Sequence, residues 1–211
     1  MSNHFKPKRV KPDTGPLRVV LFRSRNKDNK NHIEGFQERF ESFLTREDIH
    51  PGHDLPCDSG VWRKFRSFVD RGRSGELSRM YVSINARDNR KTMKALTEAL
   101  VDAAFDQTSD QGEIDMASIG QLVVSRAALP ENATEHHWML DIDNKDEAVV
   151  KAISSRLEEI DPDLISYMKR TPNGWHIICD HGFDLRRLGD LSGEVDLKRD
   201  GLYLAGVECK D

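Results

Sequence analysis

The stretch Trp138-Met139-Leu140-Asp141-Ile142-Asp143-Asn144-Lys145-Asp146 decides how the chain reads. An apolar run leads into acids at alternate positions, and on a strand alternate residues share a face. Asp141 and Asp143 are therefore expected to point the same way while Ile142 packs behind them. Two adjacent carboxylates repel unless a cation neutralises them, and hard oxygen donors suit Mg²⁺ or Mn²⁺. The plain alternative is a strand running out into a polar turn, with Asp143 or Asn144 capping the helix that follows. That helix is expected from Val149, Val150, Ile153, Leu157 and Ile160, which form one apolar stripe ended by Asp161-Pro162.

Downstream, Leu164 to Met168 and Trp175 to Cys179 read as the two arms of a β-hairpin with Asn173-Gly174 near its turn. The bend is dense in groups that bind phosphate: Lys169, Arg170, Thr171 and Asn173, with backbone N–H groups beside Gly174. His176 opens the return strand, where a histidine is either a satisfied, half-buried ring or a ligand. Asp196 follows Val195 ahead of Lys198-Arg199-Asp200-Gly201, which reads equally well as a charged turn, and a last apolar strand runs from Leu202 to Val207.

Taken together, MLDID (139–143), GWH (174–176) and VD (195–196) resemble the archaeo-eukaryotic primase superfamily, the primase-polymerases, over roughly the last third of the chain. The resemblance implies an RRM-like catalytic module in which Asp141, Asp143 and Asp196 hold divalent metal, Mg²⁺ or Mn²⁺, and His176 contacts the phosphates of an incoming nucleotide. It implies DNA primase or primase-polymerase activity, with nucleoside triphosphates and a single-stranded DNA template as partners, alongside a helicase or other replication protein. Gly174 departs from the pattern, since many relatives have serine there, and the departure implies a missing hydroxyl contact.

The N-terminal part is read from the residues alone. Residues 1–30 hold nine Lys or Arg against two acids, although the whole chain carries a net charge of only −4. Lys6, Lys8, Arg9, Arg23 and Arg25 are thus candidates for nucleic-acid contact, with a solubilising tail the alternative for residues 1–16. LRVVLF (17–22) reads as a buried strand. Phe36, Phe40, Phe43 and Leu44 fall at helical spacing, as do Val61, Trp62, Phe65, Phe68 and Val69. Residues 80–87 read as a strand entering a helix over 89–104, capped by Asn85 or Asp88, with Met93, Leu96, Leu100 and Ala104 as its apolar face. Arg87, beside that helix start, is a candidate phosphate ligand. A further helix is expected over 115–128, before Pro130.

This order predicts an α+β fold: an RRM-like, mostly antiparallel module with helices packed on it, joined to an N-terminal α/β part. The division is a basic flexible arm (1–16) and one core (17–211), with an N-terminal half (17–130) and a motif-bearing half (131–211). The three cysteines are far apart and make neither a disulfide framework nor a zinc knuckle. No apolar run approaches membrane length and no signal-peptide core is present, so a soluble, cytoplasmic chain without membrane association is expected. Two other functions stay open at this point. One is a metal-dependent nuclease or phosphodiesterase using the same acids with His136, His137, His176, Asp180 and His181; the other is a non-catalytic module that binds nucleotide or nucleic acid.

Overall fold

A computed structural model of the chain describes residues 16–47, 49–51, 55–105 and 118–211. Among these residues, eight strands form two antiparallel four-stranded sheets. The first sheet is built from β1 (Arg18–Ser24), β2 (Arg39–Thr45), β3 (Leu77–Ser83) and β8 (Leu202–Cys209) in the order β2-β1-β3-β8. The second contains β4 (Trp138–Ile142), β5 (Ile165–Arg170), β6 (Trp175–Cys179) and β7 (Asp196–Lys198) in the order β5-β6-β4-β7.

The first sheet gets its core from alternation on β1: Val20 and Phe22 are fully buried, while Arg23 on the other face is exposed. Phe22 meets Phe65 and Phe68 of α2 (Gly60–Asp70) at ring-centre distances of 5.2 and 5.7 Å. Ser59 caps α2 by accepting the Trp62 N–H, and burial of Val61, Phe65, Phe68 and Val69 turns its apolar stripe onto the sheet. Each such side chain removed from water contributes about 1.5–3 kcal/mol, which is why the stripe fixes the helix in place.

In the second sheet, Leu140, Ile142, Ile177 and Cys179 face α5 (Glu147–Ile160) and pack with its Val150, Ile153 and Leu157. The cap of α5 is Asp146, whose side chain accepts the Ala148 N–H. Asp143 and Asn144 therefore do not serve as the helix cap.

Three expectations are revised, and a fourth falls partly outside the described residues. Residues 39–45, read as helical from their phenylalanine spacing, form edge strand β2, because every residue from Arg39 to Thr45 pairs with β1. Pairing along a whole strand outweighs an i, i+4 pattern that also suits a half-buried strand. Secondly, α3 (Asn89–Phe105) buries only Thr92, and Met93, expected on a packed face, is 56% exposed. Thirdly, α4 spans Ile119–Ala127, and residues 115–117 of the helix expected there lie outside the described residues. Finally, β8 pairs with β3 in the first sheet, so the half-and-half division at residue 130 does not hold for the last strand. Among the described residues no helix is long and apolar enough to cross a membrane.

Candidate functional site

A row of four ionisable side chains crosses the whole second sheet. Lys169 on β5 pairs with His176 on β6, His176 with Asp141 on β4, and Asp141 with Asp196 on β7. Directly opposed residues bring their Cβ atoms within about 5.5 Å, so the side chains interact. The row lies on the face turned away from α5, as the alternation at Asp141-Ile142-Asp143 predicts: Ile142 is fully buried against α5, and both acids line a cavity of about 440 Å³.

The opposite wall of that cavity comes from the first sheet. Leu21 and Arg23 of β1, Arg79 and Tyr81 of β3, and Leu204 of β8 present one face; Arg25 follows β1, and Lys27 lies in the short helix α1 (Asn26–Asn29). Cations thus face carboxylates. Asp28 holds two of the arginines, accepting from Arg25 Nε at 2.9 Å and from Arg79 Nε at 2.8 Å. Burial works against the charge on Asp28, yet the two guanidinium groups outweigh it and depress its pKa. Arg23 reaches Glu38 at 3.1 Å, and Lys27 has no ion-pair partner among the described residues.

Asp141 is held by two partners on the second sheet. Its Oδ1 lies 3.4 Å from His176 Nε2, and its Oδ2 accepts from Lys198 Nζ at 3.0 Å. The His176 contact foremost, and then Lys198, pull its pKa down to about 2 against the opposing effect of burial. The other ring nitrogen of His176, Nδ1, accepts the Leu204 N–H at 3.3 Å. A neutral ring with its proton on Nε2 satisfies both contacts, so His176 is aimed at Asp141 and anchored by β8. The phosphate contact expected of it would require the ring to leave one of these partners.

Lys198 was passed over in the sequence. Its ammonium bridges Asp141 at 3.0 Å and Asp196 at 3.2 Å, and those hydrogen bonds raise its pKa although burial opposes the charge. Among the described residues no group of three or more His, Cys, Asp or Glu side chains is placed to hold a metal ion. Asp141 and Asp196 nevertheless converge on one cation, Asp143 lines the same cavity, and an all-oxygen donor set of this kind fits Mg²⁺ or Mn²⁺ in place of the ammonium.

The hairpin turn contributes selectively. Thr171 and Asn173 line the cavity, whereas Arg170 reaches outward to Glu147 at 3.6 Å. Lys169 donates to the Ala205 carbonyl at 2.8 Å and so ties β5 to β8. Arg87 is a correction: it is buried, with its guanidinium on Asp200 at 2.7 and 2.9 Å, and does not line this cavity. The start of α3 is capped by Asp88, which accepts the Lys91 N–H. At Gly174 a Cβ would overlap the Ile142 carbonyl oxygen and sit 2.9 Å from the Asn144 nitrogen, so a serine side chain has no room. A hydroxyl is supplied next door by Thr171, whose Oγ1 accepts the Gly174 N–H.

Lys6, Lys8 and Arg9 lie outside the described residues, whereas Arg23 and Arg25 are on the cavity wall. The donors required by a nuclease reading are dispersed. His137 and Asp180 meet at 3.5 Å at the far end of β4 and β6, and His181 pairs with Asp161. Four residues of strand separate His176 from Asp180, about 13 Å. Lys27, Arg79 and Tyr81 also escaped notice. The signal was available in part, since Leu21, Arg23 and Arg25 alternate with buried Phe22 and Ser24 and so share the face of Arg79.

Comparison with protein-family models, curated proteins and solved structures finds no match to this chain.

Proposed function

We propose that the chain is a metal-dependent nucleotidyltransferase of the primase-polymerase kind, adding nucleotides from nucleoside triphosphates to a strand on a single-stranded DNA template. The observation that carries this reading is the two-sided cavity, in which Arg23, Arg25, Lys27 and Arg79 face Asp141 and Asp143. A triphosphate needs cations along its tail and a divalent ion at its reacting phosphate, and the two walls offer these separately. The strand order β5-β6-β4-β7, with α5 between β4 and β5 and a 3₁₀ segment (Leu185–Glu194) between β6 and β7, supports an RRM-like module.

Asp141, Asp143 and Asp196 would hold Mg²⁺ or Mn²⁺, which would supply the charge that lowers the pKa of a strand's 3′-hydroxyl and offsets charge on the phosphates. His176 keeps Asp141 ionised and oriented, because its Nε2–H faces Oδ1 while Leu204 holds its other nitrogen. The arginine wall orients the triphosphate, and Thr171 and Asn173 close the side of the cavity beside the turn. Lys198, whose ammonium bridges Asp141 and Asp196, would be free to meet the incoming phosphates with a metal ion in its place.

One observation favours a second reading, a nucleotide-binding module without catalysis: the Lys198 ammonium already neutralises Asp141 and Asp196. The deciding experiment is a gel assay for labelled product. It combines single-stranded DNA, ribo- and deoxynucleoside triphosphates and Mg²⁺ or Mn²⁺, with and without a primer, for wild type and the Asp141→Ala/Asp143→Ala variant. Product made by wild type and lost in the variant is expected. Product that survives both substitutions refutes the assignment, and triphosphate binding without product favours the binding module.

A further inference from the structure

A second cavity, of about 780 Å³, lies beside the first, and Lys198 lines both. Its lining differs in chemistry from that of the first. Trp138, His136 and Arg199 stand around it with Pro130 and Ala133. The Trp138 indole is held by Phe183, at a ring distance of 5.8 Å, and by Gly182, where a Cβ would run into the ring. The Arg199 guanidinium sits over the same ring, 5.3 Å from its centre. Arg199 is exposed, and among the described residues its charge meets no carboxylate.

The one acid on this wall, Asp200, is already neutralised. Arg87 donates to both its oxygens, and Asn85 Nδ2 donates to Oδ1 at 3.2 Å. The cavity therefore offers the Arg199 guanidinium and the His136 ring to a ligand and withholds its carboxylate. A cation stacked on an indole, in a cavity whose acid is neutralised, suits a ligand that alternates flat rings with phosphates. We propose that this cavity binds a segment of single-stranded nucleic acid, a base lying on the Arg199–Trp138 stack and a neighbouring phosphate beside His136.

Continuity with the first cavity gives the direction. A strand seated here passes Lys198 and arrives at Asp141 and Asp196, where the nucleotidyl-transfer reading, on which the strand's purpose but not its binding rests, needs a template or strand end. Asp200 and Arg87 also gain a purpose, since removal of a free carboxylate from the wall is what admits a polyanion.

The test is fluorescence anisotropy with a labelled oligo-dT at several salt concentrations, on the whole chain. It compares wild type, Arg199→Glu and His136→Ala, with triphosphate binding measured in parallel by calorimetry and folding checked by melting temperature. Stacking on a single base supports an affinity loss of about tenfold or more in Arg199→Glu, with a smaller loss in His136→Ala. Triphosphate binding should stay unchanged in these variants. Equal oligo-dT affinity in wild type and Arg199→Glu overturns the strand site, as does triphosphate binding by a wild type that ignores the oligonucleotide; both leave the nucleotidyl-transfer reading standing. Oligonucleotide binding that depends on Arg199, with no triphosphate binding, has the opposite meaning: the strand site stands and the transferase reading falls.

Discussion

Replacing Asp141 with asparagine removes a charge that the fold has been built to keep. The carboxyl is shifted from its ordinary 3.8 to about 2, through the His176 contact first and Lys198 second, against burial. At about 1.4 kcal/mol per tenfold change in ionisation, that difference corresponds to about 2 kcal/mol of stability. The side chain is 27% exposed, so solvent screening takes only part of it. The sign follows from the depressed value: the contribution is complete above about pH 4, where the unfolded carboxyl is also ionised. It fades as pH falls toward 2, where the folded carboxyl becomes protonated. Chemical denaturation of wild type and Asp141→Asn across pH 2–7 is the assay, read as the difference between the two proteins so that other acids cancel. The expected result is a variant less stable by about 2 kcal/mol at pH 7, with the gap closing below pH 4. A gap that does not change with pH, or an asparagine variant more stable at neutral pH, refutes the proposition that Lys198 and His176 stabilise the ionised form.

Two further substitutions probe how the cavity is held. Gly174→Ala forces a methyl group into the backbone between Ile142 and Asn144, so a loss of about 1–3 kcal/mol is expected in denaturant melts, with the segment carrying Asp143 pushed away from the turn; an alanine variant as stable as wild type counts against the close approach. Asp28→Asn leaves the buried Arg79 without its ionised partner, and a loss of about 3 kcal/mol is expected. If that variant is as stable as the wild type in the same melts, Asp28 is not what holds the arginine wall.

Alternation made the acids legible. Asp141 and Asp143 share a face because Ile142 belongs to the core, and that much is local to one strand. Partnership across the chain is not local, and the misread residues are those whose partners lie far away in sequence. Arg87 looks like a free cation beside a helix start, yet its partner Asp200 is 113 residues further on. Lys198 reads as part of a charged turn until β7 pairs with β4 and sets it beside Asp141. The segment around Phe40 and Phe43 satisfies a helical period and a strand equally, and only pairing with β1 decides between them.

The last strand shows why the site needs both sheets. β8 is an edge strand of the first sheet, and an edge exposes backbone groups that must find partners. The register with β3 shifts between Met80 and Tyr81, and beside that irregularity the Ala205 carbonyl accepts from Lys169 while the Leu204 N–H donates to His176. The two side chains that satisfy the edge are neighbours in the row that ends at Asp141 and Asp196. Closing the sheet edge and orienting the candidate catalytic carboxylate are thus one set of hydrogen bonds. Lys169, read from sequence as a phosphate ligand, anchors β8 beside the site, and the cations that face the carboxylates, Arg23, Arg25, Lys27 and Arg79, stand on the opposite wall.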